Sequence, residues 1–205
     1  MYVLQHRKFF KENKFFVSLG LGKDIGESFL NVYSGKISLG YFFHENWGFD
    51  VTFSQNTGSE NKWAKGVQEQ GTVPFYRKLS RVITAKVLWS PFYSKINMFD
   101  KIIYADWIMG LGVASIGDQN NVNYFTGSPN YSTSANELVN ENNIGLTWGM
   151  GMRIYLSQHW STRLDFNGYH YQAKIYSQDI NTGSFLEDKT FFHKFDITFG
   201  ANYTF

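Results

Sequence analysis

The chemistry open to this chain begins with two histidines, His170 and His193. An imidazole is a good general base near neutral pH, but it needs a nucleophile within hydrogen-bond reach. Two residues from His170 stand Gly168 and Gln172; two residues from His193 stand Phe191 and Phe195. Neither histidine therefore has a serine in the matching place. Cysteine is absent, which removes thiolate nucleophiles, thiolate metal sites and disulfides. Asp179-Ile180-Asn181-Thr182-Gly183 opens like a calcium loop but lacks the bidentate Glu that should follow. Asn-Thr-Gly-Ser occurs at Asn56–Ser59 and again at Asn181–Ser184, as turn chemistry explains. The expectation is no catalytic residue, no metal and no cofactor.

A second group of residues is charged and regularly placed. Lys36, Lys86, Arg153, Arg163 and Lys194 share a parity along the chain with Asp50, Asp106, Asp165 and Asp196. Five cations nearly balance four anions, as an enclosed ion-pair network requires, because unpaired buried charge is costly. Arg77, Arg81 and Lys174 form a third group, suited to phosphate. The whole chain carries only net +2, too little to point to nucleic acid.

The elements that position these residues read as strands. Among 205 residues, 19% are aromatic, 19 are glycine and 3 are proline, which favours sheet over helix. Apolar side chains recur at every second position in eight segments. In the last, Phe191, Phe195, Ile197, Phe199, Ala201, Tyr203 and Phe205 oppose Lys194, Asp196, Thr198, Gly200, Asn202 and Thr204. Period two gives each segment one greasy and one polar face. Phe42, Val82, Leu88, Ile108 and Phe192 break the rule by falling on the polar parity, several near expected strand ends. The links at His44–Asn46 and Ser157–His159 are tight, and Pro91–Lys101 is moderately short, with apolar residues suited to a turn of helix. The links at 24–31, 56–76, 117–143 and 177–188 are polar and mostly longer. Short turns on one rim and long loops on the other is the layout of an outer-membrane barrel.

Glycine settles which face is outside. Gly20, Gly40, Gly110, Gly112, Gly149, Gly151 and Gly200 lie on the polar parity, and Trp47, Trp89, Trp107, Trp148 and Trp160 on the apolar one. An eight-stranded bore has room only for side chains that fill it, so tryptophans belong outside, against lipid. The expected fold is all-β: a closed antiparallel eight-stranded up-and-down transmembrane β-barrel over 13–205, after a polar lead-in over 1–12. Tyr41, Trp47, Trp89 and Trp160 should form an aromatic girdle at the short-turn rim. No run of about 18 apolar residues offers a membrane helix.

The chain resembles small outer-membrane barrels of the OmpA/OmpX type. Its ending, with Phe199, Tyr203 and Phe205 on one face, is similar to the signal by which the outer-membrane assembly machinery recognises such barrels. Tyr2-Val3-Leu4-Gln5-His6-Arg7, Ser38-Leu39-Gly40-Tyr41-Phe42 and Ser90-Pro91-Phe92-Tyr93-Ser94-Lys95 resemble a family of outer-membrane β-barrel domain proteins of predatory and gliding bacteria. The resemblance implies a bacterial outer membrane location, with a signal peptide removed before the first residue, and contact with outer-membrane lipid and lipopolysaccharide. It implies no activity. Arg77, Arg81 and Lys174 would be the lipopolysaccharide contacts.

The function expected is structural or interactive: a barrel whose lumen is filled by side chains, presenting extracellular loops or anchoring an envelope protein partner, and not an enzyme. The alternatives are a narrow small-solute channel and a lipid A-modifying enzyme of the kind that carries a His–Ser pair on its lipid face, which the missing serine weakens.

Overall fold

The computed structural model describes residues 7–26, 29–69, 77–98, 101–121, 138–178 and 185–205. The eight apolar/polar segments become β1 (Lys14–Ile25), β2 (Leu30–His44), β3 (Trp47–Glu60), β4 (Arg77–Met98), β5 (Lys101–Asn120), β6 (Val139–Tyr155), β7 (Trp160–Gln178) and β8 (Phe185–Thr204). Each pairs antiparallel with its sequence neighbours, and β8 returns to β1 to close the barrel. Closure leaves no sheet edge within the wall, which a sheet in hydrocarbon requires.

The pairing register fixes the shape. Following partners from Tyr155 on β6 leads through Ser161, Asn202, Ser18, Ser38, Thr52, Thr84 and Ala114 back to Gly145 on β6. The circuit returns ten residues from where it began (155 against 145). That stagger over eight strands tilts them by about 40° and gives a bore of about 8 Å radius, measured to the backbone. It also places Tyr155, Trp160, Phe43 and Phe92 at nearly one height, so the expected girdle residues Tyr41, Trp47, Trp89 and Trp160 gather near the short-turn rim.

The outer face is apolar and open: Leu21, Ile144 and Phe199 are 76%, 83% and 62% exposed. Such exposure around a whole wall suits lipid, not water. Trp47 pairs with Trp89 and Trp160 with Tyr203 along the girdle. The inner face is tight. A side chain at Gly112 would strike the Ala85 carbonyl, and one at Gly40 would strike the Phe16 ring.

Three features correct the sequence reading. First, Pro91–Lys101 is no helical turn. β4 and β5 continue as a hairpin from Phe92 paired with Trp107 to Met98 paired with Lys101. Second, Phe16, Phe42, Leu88 and Ile108 point inward and form a buried apolar layer. Val82 joins Leu79, Ile116, Tyr169 and Tyr171 in a second layer, with Phe192 packed against it. The parity exceptions are thus apolar layers of the bore rather than relaxed strand ends. Third, the β3–β4 connection carries a helix, α1 (Lys62–Glu69), whose first amides at Trp63 and Ala64 are capped by the Asn61 side chain.

Two bulges interrupt β4. Leu79 and Arg81 span one step of β5, and Trp89 and Phe92 span two. Each inserts one extra residue, and one residue turns a strand's faces over.

Candidate functional site

The bore is built in tiers. In its middle, Lys36 Nζ reaches both Asp196 oxygens at 2.6 and 2.7 Å. Tyr169 Oη and Asn167 Nδ2 donate to the same carboxylate at 2.8 and 3.0 Å, and Thr198 Oγ1 does so at 3.0 Å. Charge is thus matched by one cation and three neutral donors, which a buried carboxylate needs. Lys86 Nζ donates to Asn167 Oδ1 at 3.2 Å, and Arg163 Nη2 to Asp165 Oδ1 at 3.0 Å. Asp50 is buried, with Thr52 Oγ1 donating to it at 3.5 Å. The space left for water among these groups is about 30 Å³, room for about two waters.

Below lies the apolar layer, and Arg153 lies against it. Its guanidinium stands 4.9 Å from the Phe16 ring centre and 5.4 Å from that of Phe42, a cation–π arrangement in a desolvated place. Asp106 is fully buried next to it in sequence register. Its cation comes from outside the wall: Lys11 Nζ, at 2.6 Å. Lys11 also donates to Ser90 Oγ at 2.6 Å, and Tyr155 Oη donates to Asp106. Burial lowers the Lys11 ammonium from 10.5 to about 8, while Asp106 pulls it back up.

The lead-in is held there by a local turn. Asn13 takes a left-handed backbone (φ 59°), which Asn tolerates better than most residues. Arg7 bridges to Glu45 at 3.0 Å, and the Lys11 and Glu12 amides donate to the same carboxylate. Phe9 stacks on Tyr155 at 4.6 Å. Sequence reading treated 1–12 as a simple polar approach; no local pattern marks Lys11 as an inward ligand.

At the loop end, Arg77 is buried and bridges Asp118 at 2.6 Å and Glu141 at 2.7 Å. This corrects its expected place among the outward rim cations: the bulge at Ser80 turns it into the bore. Lys194 Nζ donates to the Arg77 carbonyl at 3.0 Å. Asp118 and Glu141 lay within the expected 117–143 loop, yet both fall on the inward parity of extended strands, the signal that could have found them.

Arg81 and Lys174 do face outward and are exposed. Lys174 pairs in register with Lys189, an exposed lysine the sequence reading missed. His170 and His193 are also register partners on the outer face. Trp148 Nε1 donates to His170 Nε2 at 2.7 Å, so neutral His170 keeps its proton on Nδ1 and gives it to His193 Nδ1 at 2.6 Å. Their partners are an indole and each other, not a hydroxyl nucleophile. Phe199 and Tyr203 lie outward on β8, and just beyond its end the Phe205 amide donates to the Phe15 carbonyl at the closing seam. Asp179–Gly183 and the middle of the long Asn-rich loop lie outside the described residues. Among the described residues, no cluster of three metal-ligating side chains occurs.

Solved structures place this architecture. Neisserial surface protein A superposes with a TM-score of 0.56 at 14% identity, over 93% of this chain and 97% of that one. OprG of Pseudomonas aeruginosa does so with 0.54 at 10% identity, over 96% and 98%. Ail of Yersinia pestis, in complex with the heparin analogue sucrose octasulfate, gives 0.50 at 15% identity, over 95% and 99%.

The fold is that of the small eight-stranded outer-membrane barrels. No family model matches the sequence, and no curated protein matches it.

Proposed function

We propose that the chain is a sealed barrel of the bacterial outer membrane that works through its two ends and not through its bore. It presents its long loops at the cell surface, holds an envelope partner on the periplasmic side, and catalyses no reaction. The observation that carries this reading is the filled lumen: about 30 Å³ of space for water amid charges bridged as Lys36–Asp196 and Arg163–Asp165, with Lys11 closing the short-turn end. A hydrated ion needs a continuous wet path, and apolar clusters above and below the charged tier narrow any such path. The exposed apolar belt and the likeness in fold to outer-membrane barrels support the location.

Arg81, Lys174 and Lys189 lie outward toward the loop rim, at the level of lipopolysaccharide phosphates in this orientation, and suit contact with them. The C-terminal Phe199, Tyr203 and Phe205 suit recognition by the assembly machinery. Planar-bilayer recording tests the central claim. The purified barrel should give no stable conductance steps; reproducible single-channel steps would overturn it.

A further inference from the structure

Outer-membrane barrels keep their periplasmic turns short, and two of the three here are short. The β4–β5 hairpin is different. Beyond Phe92 and Trp107, at girdle height, it runs on to Met98 and Lys101. Six further residues at this tilt carry it roughly 15 Å past the rim. β3 has already ended: its last contact is the Ser90 amide on the Asn46 carbonyl. Among the described residues, no backbone hydrogen bond reaches the outer edge of β4 from Phe92 to Asn97. That edge is a row of unmet donors and acceptors in a strand already held straight by β5.

The hairpin is braced from within. The Lys8 amide donates to Tyr93 Oη at 3.2 Å, Arg7 lies over the Tyr93 ring at 5.5 Å, and Phe9 meets the Tyr104 ring edge-on at 5.4 Å. At the base of the hairpin a groove of about 670 Å³ extends over the outer face toward β5 and β6, lined by Arg7, Phe92, Tyr93, Trp107, Met109 and Met150. The edge is chemically two-sided. Phe92 and Ile96 are 59% and 46% exposed on one face. Lys95 is exposed on the other, and Lys8 and Lys101 add charge nearby. Among the hairpin's described residues the carboxylate is Asp106, which is buried on Lys11.

We infer that the free edge of β4, from Phe92 to Asn97, receives an extended acidic segment of a periplasmic protein as an added strand. Backbone pairing supplies the attachment, and cross-strand neighbours supply the choice. Apolar residues of the segment lie beside Phe92 and Ile96, and alternate carboxylates lie beside Lys95. A second copy of this chain fits worse, since antiparallel edge pairing centred on Lys95 sets lysine against lysine. Pro91 stands where the edge begins and offers no N–H, which marks the start of the site. The inference rests on the reading of the barrel as one that works through its ends. Its test reads binding rather than conductance, so the two fail separately.

The full chain in phospholipid nanodiscs is offered three eight-residue probes: alternating Val-Glu, alternating Val-Lys, and Val-Glu with alternate amides N-methylated. Fluorescence anisotropy reads binding, and hydrogen exchange reads the amides of Ser94–Asn97. The Val-Glu peptide should bind at least tenfold tighter than Val-Lys and slow exchange along that edge. N-methylation should abolish binding, and Lys95→Glu should reverse the preference. Equal binding of the two charges, binding of the N-methylated peptide, or unchanged exchange overturns the inference. Slow exchange that depends on protein concentration without any peptide overturns it in favour of a second copy.

Discussion

Lys11 Nζ lies 2.6 Å from Asp106 Oδ2, and both side chains are almost wholly buried. A residue from the approach segment thus supplies the counter-charge for a strand residue. Breaking such a pair strands one charge, at a cost of about 3–5 kcal/mol. Lys11→Met should therefore lower the urea midpoint of the folded barrel markedly. Lys11→Met with Asp106→Asn should recover part of the loss. A single variant as stable as the parent would show that the pair contributes nothing.

The same pair gives a pH dependence. Docked Lys11 titrates near 8 and free Lys11 near 10.5, with Asp106, Tyr155, Arg153 and Arg7 around it. Between those values the undocked segment binds more protons, so docking tightens as pH rises from about 8 toward 10.5 and is level below 8. Hydrogen exchange at the Lys11 and Glu12 amides, after correction for intrinsic rates, should show protection growing across that window. Falling protection there would reverse the sign.

Arg77 and Arg81 are four residues apart but differ in kind. Arg77→Ala leaves Asp118 and Glu141 without their shared cation and should destabilise by about 3 kcal/mol. Arg81→Ala, on the exposed side, should shift stability by less than about 0.5 kcal/mol. The two urea midpoints decide this directly.

Lys174→Gln with Lys189→Gln removes two outward cations that face each other across β7 and β8. Retention of bisphosphorylated lipid A through native mass spectrometry should fall several-fold, with no change in retention of its dephosphorylated counterpart. Equal retention by parent and double variant would remove these lysines from the lipid contact.

At Gly112 the backbone of β4 passes so close that an added methyl meets the Ala85 carbonyl; at Gly110 it meets only side chains, Leu88 at 3.3 Å and Lys86 at 3.4 Å. Gly112→Ala should cost about 1–3 kcal/mol and Gly110→Ala less, read as the fraction that folds into detergent micelles.

The barrel itself was legible because period two survives wherever one face meets lipid: Leu19, Leu21, Phe199 and Ala201 could not be elsewhere. The bore was legible only where its residues are polar. Phe42, Leu88 and Ile108 are inward and apolar, so their polarity and their position disagreed and position was right. Arg77 was misplaced because nothing local announces the bulge at Ser80. Lys11 was missed because its role depends on a turn at Asn13 and on a carboxylate 95 positions away (106 against 11).

The two bulges of β4 make its ends independent of its middle. Deleting Ser80 would make the ladder regular, setting Leu79 directly beside Arg81 as their partners Asp118 and Gly117 already are, with Leu79 and Arg77 still facing the bore and Ile83, Ala85 and Val87 still against lipid. The extra residue at the mouth can therefore be lost without turning over either the mouth or the wall below it. A strand built in this way tolerates a change of length near its end without re-sorting which side chains line the opening.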